Sequence, residues 1–325
     1  MHTIQAKSIL SAKNGMNLYR GCQHGCIYCD SRSRCYHMDH PFEDVAVKGN
    51  ALQLLQTSLK RKRRPCMIAT GSMSDPYTPV EQELGMTRQA LQLVERYGCG
   101  IAIQTKSDLI LRDLDILRRI HRRSKAVVQI TLTAMDDRLS RLIEPNVCPT
   151  SRRIEVLKAL QAAGIPTVVW LCPVLPWLND TEENIRGIVK ACADAGVKGI
   201  ISFGMGMTLR DGSREYYYTQ LDRKFPGLKE RTIRTYGSAY ELRSPHSREL
   251  EALFHRLCAK YGIWHDNDRI FDWMARLEDP DQLTFFDRRP YEDHDPHGKY
   301  RCPPRIDPGA WPEPFRGGGG APLSL

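Results

Sequence analysis

Cys22, Cys26 and Cys29 fall within the stretch GCQHGCIYCD (21–30), in the pattern C-x3-C-x2-C. Three thiols this close can converge on one soft metal centre once they are deprotonated. A single zinc ion would call for a fourth protein ligand, and His24 and His37 stand nearby. Structural zinc motifs usually bring two C-x2-C pairs, and no second pair occurs here. A four-iron cube held by three cysteines would instead leave one iron open to a small ligand. The residues alone leave both readings standing.

The remaining thiols read differently. The chain has 11 cysteines among 325 residues, an odd number in a long chain. Its first residues, MHTIQAKSIL, lack the long apolar stretch of an export signal. A disulfide scaffold is therefore not expected. Cys99, Cys172 and Cys192 sit in apolar segments and are expected to behave as small buried hydrophobes. Cys35, just past the cluster, reads as a spare or core thiol. No apolar run reaches the roughly 18 residues of a membrane span, so a soluble, cytoplasmic protein is expected.

The elements that must position the cysteines follow a rhythm. Strands are expected at Met67–Gly71, Gly100–Thr105, Ala126–Thr133, Pro166–Pro173 and Gly199–Gly204, with a first strand at Asn17–Gly21 ending at the cysteines. Helices are expected at Asn50–Arg61, Glu81–Tyr97, Arg112–Arg122, Ser151–Ala163 and Thr181–Ala195. Thr150 and Ser151 offer hydroxyls at one helix start, and Asp180 offers a cap at another. Gly164 and Gly196 suit left-handed C-terminal caps. Strand–helix alternation of this kind predicts an α/β fold with a parallel sheet, closed as a full or partial barrel. Chemistry in such folds gathers at the C-terminal ends of the strands. Those ends carry Cys22 to Cys29, Ser72 to Asp75, Lys106–Ser107, Thr131 and Thr133, Pro173 to Asp180, and Met205.

With these residues in view, a resemblance can be stated. C-x3-C-x2-C with Tyr28 before the third cysteine resembles the radical S-adenosylmethionine (SAM) superfamily. TGSMSDPYTPVE (70–81), QTKSDLILRDLDIL (104–117), ITLTAMDD (130–137) and PVLPWLND (173–180) are similar to its spore photoproduct lyase-like, DNA repair photolyase-related branch. The resemblance covers about residues 5 to 265. It implies a partial (β/α)6 TIM-type barrel over residues 1–210 and a helical extension over 211–287. It implies a [4Fe–4S] cluster on Cys22, Cys26 and Cys29, and reductive cleavage of SAM to a 5′-deoxyadenosyl radical. Tyr28, Ser74, Asp75, Lys106 and Thr131 would contact the cofactor. No catalytic residue is implied with the same clarity: Ser72 stands where that branch has a hydrogen-donating cysteine. Serine is a poor donor of a hydrogen atom to a carbon radical, so the resemblance leaves the substrate open. A nucleic-acid lesion or base is the expected substrate. RNA modification, a small metabolite, or a non-catalytic zinc-binding role are the alternatives.

Charge and partners complete the reading. The net charge is +9, and residues 287–325 carry six charges of each sign, so the excess lies on the folded body. A basic body attracts polyanions. The runs LKRKRRP (59–65) and RRIHRRSK (118–125) are placed at the far end of the barrel, whereas Arg20, Arg32, Arg34 and Arg210 are expected nearer the mouth. A reductant such as flavodoxin or ferredoxin is expected. Gln282–Phe286, in DQLTFFD, is similar to peptides that dock on a sliding clamp. Residues 288–325, rich in Pro and Gly, read as a disordered tail.

Overall fold

The computed structural model describes residues 1–277. The Gln282–Phe286 motif, the 288–325 tail and the end of the 211–287 extension lie outside them. The central feature is a six-stranded, all-parallel sheet in sequence order: Gly15–Met16, Met67–Thr70, Gly100–Thr105, Ala126–Thr131, Thr167–Trp170 and Gly199–Ile201. Register runs Met67 to Gly100, Ile101 to Ala126, Val128 to Thr167 and Val168 to Gly199. Helices at Ala51–Lys60, Met86–Arg96, Leu114–Arg123, Thr150–Ala162 and Glu182–Asp194 alternate with the strands. This is the partial TIM-type barrel that the alternation implied.

Alternation along each strand sorts the faces. Val128, Ile130 and Val169 join the large core with helix residues such as Leu117, Leu160 and Ile188. Val127, Val168 and Ile201 face the other way, against Ile270 and Met274 of the helix Asn267–Ala275. Gln129 and Trp170 share that second face, where the Trp170 indole N–H donates to Gln129 Oε1 at 2.8 Å. Thr131, two residues past Gln129, continues it to the strand end.

Several expectations are corrected. The first barrel strand is Gly15–Met16, which pairs with Ala69 and Thr70. Within the expected Asn17–Gly21, Tyr19 and Arg20 instead pair antiparallel with Val47 and Ala46, in a small sheet with His2–Ile4. An apolar run signals a strand, but not which sheet it joins. Glu81–Tyr97 is two helices, because Gly85 adopts φ +61° and ends the first at Leu84. Thr181, not Asp180, caps the helix Glu182–Asp194 by accepting from the Asn184 N–H at 3.2 Å. Asp180 accepts from Ser244 Oγ at 2.6 Å. Thr150 and Ser151 cap nothing: their hydroxyls donate to Ala134 O and Asp137 Oδ2. Gly164 and Gly196 do take positive φ after their helices. Beyond the barrel, Ser213–Lys224, Leu228–Tyr236 and Ser247–Tyr261 are helical, and the first two lie between the strands Gly206–Thr208 and Glu241–Arg243, an unforeseen antiparallel pair. No described helix is long and apolar enough to cross a membrane.

Candidate metal and cofactor site

The cysteine loop is pinned from several sides. Cys22 N–H donates to Phe42 O at 3.0 Å and Ile27 N–H to Ile143 O at 2.9 Å. Gln23 N–H donates to Thr78 Oγ1 at 3.1 Å, and Asn146 N–H reaches His24 O at 3.1 Å. Gly21 enters the loop at φ +89°, and a Cβ there would lie 2.4 Å from Phe42 O, so only glycine fits. Beneath the loop, Ile27 and Tyr28 pack with Met207, Leu209, Tyr217, Leu221 and Leu242, so the C-terminal extension covers one side of it.

Two buried carboxylates brace the loop. Asp75 accepts from the N–H of Tyr77 at 2.9 Å, Thr105 Oγ1 at 2.7 Å and the N–H of Lys106 at 2.9 Å. His24 Nε2 lies 3.0 Å from its Oδ2, within ion-pair reach but off hydrogen-bond alignment. Burial opposes the charge of Asp75, but His24 and these donors prevail and hold its carboxyl down at about 2. Glu144 meets Arg153 Nη2 at 2.6 Å, both fully buried, and accepts the Tyr28 hydroxyl. Burial is again outweighed, by Arg153 and then Lys106, and the Glu144 carboxyl is held below its ordinary value. Arg153 also donates to Thr131 O at 3.0 Å and Cys148 O at 2.9 Å, tying the fourth strand to the same network.

Each expected site residue can now be placed. Cys22 and Cys26 are buried and Cys29 half-buried, all on the pinned loop. Burial pushes the Cys22 thiol up to about 12, and raises Cys26 as well despite the opposing charge of Lys106. A soft metal would therefore displace protons on binding. Tyr28 is buried with its ring 5.9 Å from Lys106 Nζ. The ammonium of Lys106 is raised above its ordinary value: desolvation lowers it, but Cys26, Glu144 and Asp75 together outweigh that. Ser74 Oγ donates to Gly21 O at 2.5 Å. Thr131 Oγ1 is buried with no hydrogen-bond partner. Ser72 is exposed.

The donor set fits a cluster better than one ion. Sulfurs on one tetrahedral zinc would lie about 3.8 Å apart at a Zn–S distance of ~2.3 Å. Among the described residues, the only His, Cys, Asp or Glu trio gathered within 4.8 Å is His2, His40 and Asp44, so the three sulfurs do not all lie within 4.8 Å of one another. A four-iron cube separates its thiolates more widely than a single ion does.

Several neighbours went unread in the sequence. Tyr28 and Glu144 are 116 positions apart, and nothing local in IEPNV marks Glu144 as a brace. Cys172 was expected to be core, yet it is half-buried and feels the charge of Lys106. Of the four arginines expected at the mouth, Arg34 is exposed and pairs with Asp211 at 3.2 Å, and the other three act as fasteners. Arg32 lies between Phe42 and Tyr216, 4.5 and 3.8 Å from their ring centres, and pairs with Glu43. Arg20 donates to Tyr36 O and His37 O, and Arg210 contacts Asp30 and Tyr240.

The family model described as the radical SAM superfamily matches residues 16–189, from the first barrel strand through the fifth helix of the barrel. The chain belongs to the radical SAM superfamily. Its cofactors are accordingly a [4Fe–4S] cluster and SAM. An uncharacterized protein of Mycobacterium tuberculosis is 30% identical over 258 residues, covering 78% of this chain and 75% of the relative. One of Methanocaldococcus jannaschii is 34% identical over 184 residues, covering 56% and 68%. A radical SAM Nalpha-GlyT isomerase of Pseudomonas phage M6 is 23% identical over 182 residues, covering 55% of this chain and 36% of the relative. Among solved structures, a spore photoproduct lyase variant with bound AdoMet and dinucleoside spore photoproduct aligns at TM-score 0.59 and 12% identity, over 81% of this chain and 80% of that one. At that identity the likeness is one of fold.

Proposed function

We propose that this chain is a radical SAM enzyme acting on a nucleic-acid base or lesion, with its cluster on Cys22, Cys26 and Cys29. The observation that carries the reading is the placement of the three cysteines on one pinned loop at the C-terminal end of a parallel barrel. When bound, the cluster and SAM supply reductive cleavage to a 5′-deoxyadenosyl radical. A reductant of the flavodoxin or ferredoxin class would deliver the electron.

The chain's own residues divide into two roles in this reading. Ser74 and Asp75 brace: one holds the Gly21 carbonyl, and the other has both oxygens engaged by protein donors. Lys106 and Thr131 remain to meet a cofactor, one through its ammonium beside Cys26, the other through a buried hydroxyl without a partner. Tyr28 backs the loop from the Glu144 side. The ammonium of Lys106 also offsets the negative charge of thiolates brought to a cluster.

The substrate reading rests on the chain's net charge of +9, and on the printed names of a phage relative and of fold neighbours that hold a dinucleoside. A base inside a duplex would have to leave its stack to reach the mouth. The test is anaerobic reconstitution with iron and sulfide, then dithionite and SAM. Wild type should hold about four irons per chain and form 5′-deoxyadenosine, and a Cys22→Ala/Cys26→Ala/Cys29→Ala variant should do neither. Ultraviolet-irradiated DNA should accelerate that formation; if it does not, and RNA or metabolite extract does, the nucleic-acid lesion reading is wrong while the radical chemistry stands.

A further inference from the structure

A second set of metal-ligating side chains lies outside the cysteine loop. His2 opens the edge strand His2–Ile4, and its Nδ1 lies 2.9 Å from Asp44 Oδ2. His40 stands edge-on to it, with ring centres 4.7 Å apart and planes at 86°. One ligand atom from each of His2, His40 and Asp44 lies within 4.8 Å of the others. We propose that these three residues form a mononuclear divalent-metal site of the zinc class.

The donor types support this. Two imidazole nitrogens and one carboxylate oxygen are ligands that zinc and its neighbours accept, with a fourth position left for water. Ligand atoms on one tetrahedral ion are about 3.3 Å apart at bond lengths of ~2.0–2.1 Å. His2 and Asp44 are already that close, and His40 offers a ligand atom within 4.8 Å of both.

The orientation of His40 is the second observation. Its Nδ1 is 3.0 Å from Pro41 O. A carbonyl only accepts, so Nδ1 carries the hydrogen and Nε2 carries the lone pair. That Nε2 is buried and has no hydrogen-bond partner. A ligating histidine characteristically donates its other ring N–H to a backbone carbonyl, which fixes the ring and raises its basicity. The plain alternative is a charge cluster in which His2 and the Met1 amine, 2.9 Å from Asp44 Oδ1, neutralise Asp44. It accounts for Asp44 and leaves the buried lone pair of His40 unexplained.

The site's position gives it a consequence. Phe42, between His40 and Asp44, supplies the carbonyl that accepts the Cys22 N–H at 3.0 Å. Asp44 leads into the strand Ala46–Lys48, which pairs with His2–Ile4. An ion here fastens the N-terminal strand to the segment holding the backbone of the first cysteine. It is a clip beside the cluster loop, separate from the three cysteines.

The test uses untagged chain reconstituted with iron and sulfide, then equilibrated with micromolar zinc and desalted. Wild type should retain about one zinc per chain, and zinc-edge X-ray absorption should give a nitrogen and oxygen shell at ~2.0–2.1 Å with imidazole scattering and no sulfur at ~2.3 Å. His40→Ala, Asp44→Asn and His2→Ala should each lose the zinc, keep their iron, and melt within a few degrees of zinc-free wild type. Zinc at background in wild type overturns the proposal. So does zinc retained equally by all three variants, or a sulfur shell, which would put the ion on cysteine. Failure of the cysteines to hold iron would instead count against the radical SAM reading, because the difference between wild type and His40→Ala reports only this site.

Discussion

Asp75 and Glu144 are both buried and both reach the cysteine loop, yet they are satisfied by different means. Asp75, just past the second strand, is met by two backbone N–H groups, a hydroxyl and an imidazole. Glu144, past the fourth strand, is met by a guanidinium and a phenol, with the Thr133 hydroxyl more distant at 3.4 Å. The first arrangement distributes one charge over several donors, none of which carries an obligatory charge. The second concentrates it in a pair whose partner cannot be discharged. Loss of either partner of such a pair leaves an uncompensated charge in the interior, so the Glu144 side should be the more brittle.

Arg153→Met gives the largest expected effect. Breaking a buried pair typically costs about 3–5 kcal/mol, read as a lower urea midpoint of the cluster-free protein. Restoring neutrality with Arg153→Met/Glu144→Gln should recover part of that loss. The sign with pH follows from the lowered carboxyl of Glu144. A depressed folded value adds stability above the ordinary carboxylate range and loses it as pH falls through the folded value. The gap between wild type and Glu144→Gln should therefore narrow as the buffer is taken below the ordinary carboxylate range. A gap that stays constant would mean the carboxylate charge contributes nothing.

Gly21→Ala comes next. The added Cβ would meet Phe42 O at 2.4 Å in a backbone held at φ +89°. Strain of this kind costs on the order of 1–3 kcal/mol, and here it falls on the residue that receives Ser74 Oγ and precedes Cys22. Iron content after reconstitution should drop more than thermal stability does. Equal retention of iron would show that the loop tolerates rearrangement on the Asp75 side.

Asp75→Asn sharpens the comparison. The amide keeps one accepting oxygen but turns an NH2 towards either the Lys106 N–H or the Tyr77 N–H, so one donor loses its acceptor. An unsatisfied buried group costs roughly 1–3 kcal/mol. The loss should be smaller than that of Arg153→Met and nearly independent of pH above the acid range. If it is larger, distributed donors are no safer than a single charge, and the contrast fails.

How much of this was legible in sequence differs between the two sides. On the Asp75 side the residues could be picked out, though as cofactor contacts and not as a brace, because they are local: Ser74 and Asp75 follow a strand, and Lys106 follows the next, at positions the strand-end rule selects. The Glu144 side was not legible. Its brace joins Tyr28 to a residue in a loop, and then to Arg153 on a helix, by contacts that no periodicity encodes. The strand order followed from alternation, whereas the first strand was misplaced because Tyr19–Arg20 and Gly15–Met16 are both short and belong to different sheets. His2, His40 and Asp44 were invisible for the same reason as Glu144: two elements had to meet before the trio existed.

The smallest expected effect tests whether these losses belong to the site at all. Thr181 Oγ1 caps the helix Glu182–Asp194, whose buried face, including Ile185 and Ile188, packs on the outer side of the barrel. Thr181→Ala should cost about 1 kcal/mol, the usual value of an N-cap hydroxyl. The helix reaches the strand-end loop of Thr133 and Met135 through Asn184, whose side chain accepts from Met135 N–H at 2.6 Å and donates to Thr133 O at 2.9 Å. Those bonds come from the Asn184 side chain, while the cap uses its N–H, so iron content should stay at the wild-type value as the urea midpoint falls slightly. A loss of iron with Thr181→Ala would mean that the cysteine loop responds to global stability, and the separate behaviour expected of the Asp75 and Glu144 braces would then lose its meaning.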